Sequence, residues 1–388
     1  MQLIFDEERV RRTVSAPVLN LFSEEVLSFL QELSERLRTH GREYPDVMAL
    51  AFWCRRAALV KARERYSYVE ERQGRGIAFH IAPGNVPLLF AYSLAAGLLA
   101  GNKNIIRLSA REYPQTNLVM DMIARLIEEK YSELKDYVYL LQYGHDDEIT
   151  AGLSSIADIR VIWGGDRTVA GIREIPVKPG AKDICFGDRC GICVISAEDY
   201  MQEENKDLLI RRFFNDTYVF DQNACTSPVA VIWLGNDADA AAKDFRIRLG
   251  KMADEKYFIR PAQITGKLAA FLEAAAAMPL RLVTSVHAPK LFVAGVSRID
   301  GKLLEYKYHS GYFYEYKADN LKDILPLCTE HLGTITYFGG IADQLRKTLD
   351  ESSCGDDKRI VPVGTAMDFS LIWDGYDLIT EMSDRTYL

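Results

Sequence analysis

The cysteine in FDQNACTSP, residues 220–228, is the side chain best placed for covalent chemistry. Cys225 stands between a charged helical pattern and an apolar strand pattern. A thiolate is a strong nucleophile, and a chain reversal can surround it with backbone amides that stabilise its charge. The competing reading is a small buried residue, since free cysteine is among the most buried types. Gln222, Asn223, Thr226 and Ser227 read as too polar for a deep core, and Pro228 sets the start of the next strand.

Two further turns carry chemistry. PGNVP, residues 83–87, follows an apolar strand pattern and presents Asn85 at a tip fixed by two prolines. A side-chain amide held there can donate to a developing oxyanion. It can equally cap the apolar helix that follows. WGGDRT, residues 163–168, places Gly164 and Gly165 between a strand and a helix, where amides can face a phosphate. A plain turn satisfies the same pattern, and there is no GxGxxG.

These residues need a scaffold, and the composition allows a large one. The chain has 388 residues, 48% hydrophobic and 26% charged. At roughly 100–200 residues per domain, two or three domains are expected. A net charge of -8 without a basic run argues against nucleic acid as the main partner. The N-terminus shows no secretory signal pattern. The apolar run 86–101 falls short of the ~20 residues a membrane span needs. Seven scattered cysteines do not form a disulfide framework, so a cytoplasmic location is expected. Cys190 and Cys193 suggest a metal or redox pair, but GICVIS reads as a buried strand on which they point to opposite faces.

The periodicity predicts helices over 23–38 and 47–65, then strands 76–82, 104–109, 137–142 and 159–165 separated by helices 86–100 and 114–131. This alternation implies an α/β fold with a parallel sheet, a Rossmann-like arrangement whose loops bind ligands along one edge. A second alternation starts near 196, with helices at 200–215, 237–253 and 263–277. Strands are expected at 229–234, in KLFVAG and in TITYFGG. The expected division is residues 1–190 as N-terminal helices and cofactor domain, 191–355 as catalytic domain, and 356–388 as a segment packing back near the site or an oligomer interface.

The order PGNVP, AAGLLAGNKNIIRLS, WGGDRT, QNAC resembles the aldehyde dehydrogenase superfamily. HIAPGNVPLLFAYSLAAGLLAGNKNIIRLS and RIVPVGTAMDFSLIWDGYDLI are more specifically similar to the long-chain acyl-CoA reductase family of LuxC type, from about residue 76 onward. The resemblance implies an aldehyde dehydrogenase-like fold with a Rossmann-like cofactor domain and an α/β catalytic domain. It implies Cys225 as nucleophile, Asn85 as oxyanion donor, and Gly164 and Gly165 at the cofactor pyrophosphate. Glu330, in TEHLGT, matches loosely a glutamate that holds the nicotinamide ribose, with Leu332 and Thr334 departing from the family pattern; an exposed acidic turn is the alternative.

The departures refine what the resemblance implies. Cys185 stands where hydrolytic members carry a water-activating glutamate, which favours a reductase. Arg107 stands at the family's lysine position, with Ser109 beside it. Ala110 replaces an acidic residue that holds the adenosine ribose in NAD-preferring members. With Arg107 and Arg111 near, a 2′-phosphate is tolerated, so NADPH is expected, with NADH as the alternative; both arginines merely solvating a turn is the competing reading. The expected activity is NADPH-dependent reduction of an acyl-CoA or acyl-protein thioester to an aldehyde, without a metal. The alternatives are a CoA-acylating aldehyde dehydrogenase working oxidatively, or an acyl-carrying subunit of an acyl-activating complex. An acyl-activating synthetase is the expected partner, and a homo-oligomer, most simply a dimer, the expected assembly. No histidine adjoins Cys225 in sequence; His80, His145 and His331 are candidates to activate it only in space, against ordinary structural roles.

Overall fold

The computed structural model describes residues 5–144, 146–284, 289–352, 354–355 and 358–386; His145 lies outside them. The chain forms two compact units, residues 1–187 with 369–388, and residues 188–368.

The first unit is built on five parallel strands. These are β1 (Ile77–Ile81), β2 (Lys103–Leu108), β3 (Val138–Gln142), β4 (Ile159–Trp163) and β5 (Lys182–Phe186), in the order β3-β2-β1-β4-β5. Every residue of β1 and β4 is buried, as expected for central parallel strands covered on both faces. The helices between them are Leu89–Leu99, Pro114–Glu129, Asp147–Ile156 and Asp166–Glu174. The helix expected over 47–65 is two, Pro45–Trp53 and Arg56–Arg63. Arg55 is extended between them, and the Arg56 amide donates to Gln31 Oε1 at 2.8 Å. A side chain from the preceding helix has replaced the intrahelical acceptor. The returning segment pairs Ser383–Arg385 with Arg72–Gly74.

A buried polar chain runs behind this sheet. Trp163 Nε1 donates to Ser93 Oγ (3.1 Å), which meets His80 Nδ1 (2.7 Å), while His80 Nε2 meets Asn104 Oδ1 (3.0 Å). Asn104 Nδ2 donates to the Asn102 carbonyl at 2.7 Å, which fixes the amide orientation and places the imidazole proton on Nε2. Gly97 is required here: a Cβ would lie 1.8 Å from Asn104 Oδ1. Elsewhere, the fully buried Arg160 forks onto Asp183 at 2.7 and 2.8 Å. It also donates to the Ile172 and Ile175 carbonyls, both at 2.9 Å, anchoring the end of helix Asp166–Glu174.

The second unit has a seven-stranded sheet. Its strands are β6 (Cys190–Ser196), β7 (Pro228–Leu234), β8 (Leu280–Leu282), β9 (Phe292–Val296), β10 (Tyr312–Ala318), β11 (Leu332–Phe338) and β12 (Arg359–Pro362), in the order β12-β11-β6-β7-β10-β9-β8. Only the short β8 pairs antiparallel. Cys190 and Cys193 belong to different core clusters, on opposite faces of β6 as their spacing predicts. Burial pushes both thiols up to about 12, and no group of three metal-ligating side chains occurs among the described residues. The helix expected over 200–215 is divided into Ala197–Gln202 and Lys206–Thr217, each with its own cap, Ser196 and Asn205. No helix among the described residues is long and apolar enough to cross a membrane.

The buried histidine gives a test of the first unit. Burial pushes the His80 pKa down to about 4, against the hydrogen bond it donates to Asn104, which raises it. The unfolded ring titrates near 6.5, so between these values the unfolded chain binds the proton and stability falls as pH falls. Urea unfolding of the wild type is expected to lose about 2–3 kcal/mol more between pH 7 and 4.5 than His80→Asn loses. Equal losses in the two proteins contradict the assignment.

Candidate active site

The segment carrying Cys225 folds as it does because its polar residues are consumed by the backbone around them. Helix Lys206–Thr217 runs into a 3-10 turn, Tyr218–Phe220, and then into two consecutive left-handed residues, Asp221 (φ 54°) and Gln222 (φ 60°). Neither is glycine, and such a conformation persists only where its surroundings over-determine it. Here they do. Gln222 is 5% exposed. Its Nε2 donates to the carbonyls of Pro228 (2.8 Å) and Tyr312 (2.9 Å), and its Oε1 accepts from the Gly311 amide at 3.0 Å. The Asp221 carboxylate accepts from Tyr257 and from Gln263 (2.7 Å), and its carbonyl accepts the Ser310 amide at 3.1 Å. Ser310 (φ 66°) and Gly311 (φ 78°) are left-handed as well, so two left-handed pairs lock onto one another.

Beyond the cysteine, Ser227 Oγ donates to the Asp216 carbonyl at 2.8 Å. The Ser227 carbonyl accepts the Gly191 amide at 2.9 Å. A Cβ at Gly191 would lie 2.4 Å from the Thr226 carbonyl oxygen, so only glycine lets β6 approach this turn. The sequence reading is corrected here: Gln222, Thr226 and Ser227 are buried, not kept out of the core by their polarity. Hydrogen bonding offsets their desolvation. Cys225 itself is half-buried, between a buried Ala224 and a buried Thr226. The turn lies at the amino edge of the sheet, entering β7. Glu330 is exposed in the turn entering β11, at the same edge two strands away across β6.

In the first unit, Asn85, Ser109, Gly164 and Gly165 follow β1, β2 and β4 and share the carboxyl edge, where open parallel sheets bind ligands. Asn85 is exposed. It is not the helix cap: that helix starts at Leu89 behind Leu88, with no side-chain cap. The turn leans on its neighbours, since Tyr113 OH donates to the Gly84 carbonyl at 3.0 Å and a Cβ at Gly84 would lie 2.7 Å from Ser109 Oγ. Ser109 Oγ also accepts the Arg111 amide at 3.1 Å. Gly165 is the uncapped N-cap of helix Asp166–Glu174, and the space where its Cβ would stand is open. Arg107 does more than solvate a turn. Its Nη2 donates to the Gly144 carbonyl at 3.1 Å, its guanidinium stands 5.0 Å from the Tyr143 ring centre, and its Nε is buried without a protein partner. Cys185 lies in β5, half-buried, its thiol pushed up by burial.

The histidines divide. His80 is a neutral core residue with both nitrogens satisfied. His331 Nδ1 meets the Asp188 carbonyl at 3.3 Å, in the same turn as Glu330. Sequence reasoning missed Gly191 and the holding role of Gln222. The readable signal for Gly191 was local, a glycine inside a fully buried strand; the Tyr312 and Gly311 partners of Gln222 lie some 90 residues away and left none.

Known proteins match this architecture. The first solved structure matched is aldehyde dehydrogenase 21 from Physcomitrella patens, at a TM-score of 0.70 over 98% of this chain and 89% of that one, with 12% identity. A lactaldehyde dehydrogenase superposes at a TM-score of 0.67 over 98% and 90% of the two chains, with 14% identity. Both show the fold. In sequence, the long-chain acyl-protein thioester reductase of Aliivibrio fischeri is 24% identical over 185 residues, 47% of this chain. A second reductase of that description, from Photobacterium leiognathi, is 25% identical over 182 residues, 46% of this chain. Each match spans 36% of the relative's own length. Residues 6–277 fit the profile of the family described as acyl-CoA reductase (LuxC). With most of its length inside that profile and an aldehyde dehydrogenase-like fold throughout, the chain belongs to the LuxC acyl-CoA reductase family.

Proposed function

We propose that the chain reduces an acyl thioester to an aldehyde through a covalent intermediate on Cys225, with NADPH as reductant. The observation that carries this reading is the half-buried thiol in a turn whose flanking residues are locked from both sides. Fixing a nucleophile in this way removes orientational entropy from the attack.

In the proposed sequence the Cys225 thiolate attacks the carbonyl carbon, the donor's C–S bond breaks, and its thiolate leaves and takes a proton. Asn85 is assigned the oxyanion-donor role on its exposed, proline-bounded turn. A reduced nicotinamide, when bound, would supply the hydride to the acyl carbon held on Cys225. The hemithioacetal alkoxide left on Cys225 then collapses: its C–S bond breaks, the aldehyde is released and the Cys225 thiolate is regenerated. Cys185, in place of a water-activating carboxylate, supports reduction over hydrolysis. The relatives are named for acyl-protein thioesters, which supports a long-chain donor carried either on a protein or on CoA. An acyl-activating partner and a dimeric assembly are part of the same proposal.

The first unit's carboxyl edge fits the reductant. Gly165 offers open space at a helix N-terminus, and Arg107 offers an unpartnered buried Nε beside Ser109. Gly164 and Gly165 would hold the pyrophosphate, Arg107 and Ser109 the adenosine ribose and its 2′-phosphate, and Glu330 the nicotinamide ribose.

NADPH oxidation is to be followed with acyl-CoAs of graded length and the aldehyde trapped. Wild type is expected to turn over in a chain-length-dependent way, Cys225→Ala not at all, and Asn85→Ala about 100–1000-fold more slowly. Turnover retained in Cys225→Ala contradicts the mechanism. Arg107→Ala is expected to raise the KM for NADPH about tenfold or more while leaving that for NADH within about twofold. Equal changes for the two cofactors contradict the assigned 2′-phosphate contact.

A further inference from the structure

Asp216 is a buried acid that the reaction sequence above does not use. It lies one residue from the end of helix Lys206–Thr217 and is 1% exposed. Its Oδ2 accepts the Gly364 amide at 2.6 Å and its Oδ1 accepts the Ala366 amide at 3.0 Å. Its carbonyl accepts Ser227 Oγ at 2.8 Å, two residues past Cys225. One residue therefore ties the nucleophile turn to the segment 363–368. A second tie runs in parallel, from Thr226 Oγ1 to Met367 Sδ at 3.5 Å.

The segment is held from two sides. Gly364 is left-handed (φ 98°), and a Cβ there would meet the Arg212 stem at 2.7 Å. Arg359 braces the far side, donating to the carbonyls of Ala366 (2.7 Å), Thr365 (3.0 Å) and Asp368 (2.6 Å). Arg359 thus takes the carbonyls and Asp216 takes the amides.

We infer that Asp216 is a positioning residue for the acylation of Cys225, holding segment 363–368 and the nucleophile turn as one body. The inference rests on the reading of Cys225 as acyl acceptor. A carboxylate accepts both amides without competition, whereas a protonated acid presents one amide with a hydroxyl. Burial pushes Asp216 up to about 7, against the Gly364 and Ala366 amides, with Asp368 raising it and Arg359 lowering it. Cys193, on β6, also faces it and stays neutral across this range. The clamp is therefore complete above about pH 7 and weakens below.

The test compares two rates at Cys225, resolved by peptide mass mapping: acylation by an acyl-CoA in a single turnover, and alkylation by iodoacetamide. Both need the thiolate, but only acylation needs an oriented carbonyl, so their ratio cancels the ionisation of the thiol. In wild type the ratio is expected to rise with pH through about 7. In Asp216→Asn it is expected to be about tenfold lower at pH 8 and flat with pH. Ser227→Ala leaves the carboxylate in place and cuts only its link to the turn. It is expected to lower the ratio about threefold and carries the test if the Asn variant does not fold. An unchanged ratio in the folded variants, or equal losses of both rates, overturns the inference while leaving Cys225 the acyl acceptor. A wild type that alkylates but never acylates at Cys225 overturns both.

Discussion

The side chain of Gln222 is the constraint on which the presentation of Cys225 depends. A left-handed conformation costs roughly 1–2 kcal/mol per non-glycine residue, and the turn before Cys225 contains two in succession. Three buried hydrogen bonds from one amide group offset that cost. They bind the turn to the start of β7 and to the start of β10, the strand beside it. The half-buried thiol is thus set by a rigid sheet rather than by a mobile loop. With Gly191 admitting the turn to β6 and Asp216 holding it from the helix side, the cysteine is fixed by three separate elements.

The first unit solves a different problem with similar means. The cofactor is proposed to bind at its carboxyl edge, and its ordering lies behind that edge. The chain Trp163–Ser93–His80–Asn104 crosses the interior under the turns that carry Asn85 and Gly164. Arg160 fixes the far end of the helix whose N-terminus is Gly165. In both networks the polar atoms that do the holding are buried together with their partners, because an unpartnered one would cost more than the contact returns. The buried Nε of Arg107 is the exception at this edge, and it lies where a ligand phosphate is proposed.

Much of this was legible in the sequence. The strand and helix alternation placed the central strands of both sheets within a few residues, because buried parallel strands are continuous apolar runs between helical periods. The opposite faces of Cys190 and Cys193 followed from the strand period alone. What escaped was tertiary. YFYEYKA carries Glu315 and Lys317 and did not read as strand β10; Glu315 is buried because Arg246 pairs with both its oxygens at 2.6 Å. The break between Trp53 and Arg56 depends on Gln31, a residue of another helix. The polarity of QNACTS suggested exposure, whereas the structure buries Gln222, Thr226 and Ser227 and satisfies them from strands distant in sequence. No local pattern encodes such partners.

The most direct test of the central claim is to incubate the chain with a long-chain acyl-CoA, without nicotinamide cofactor, and to map the adduct by peptide mass spectrometry. The account predicts one acyl group on the peptide containing Cys225, released by neutral hydroxylamine as a thioester is. An adduct confined to another residue, or none at Cys225 under conditions that support turnover, would contradict it.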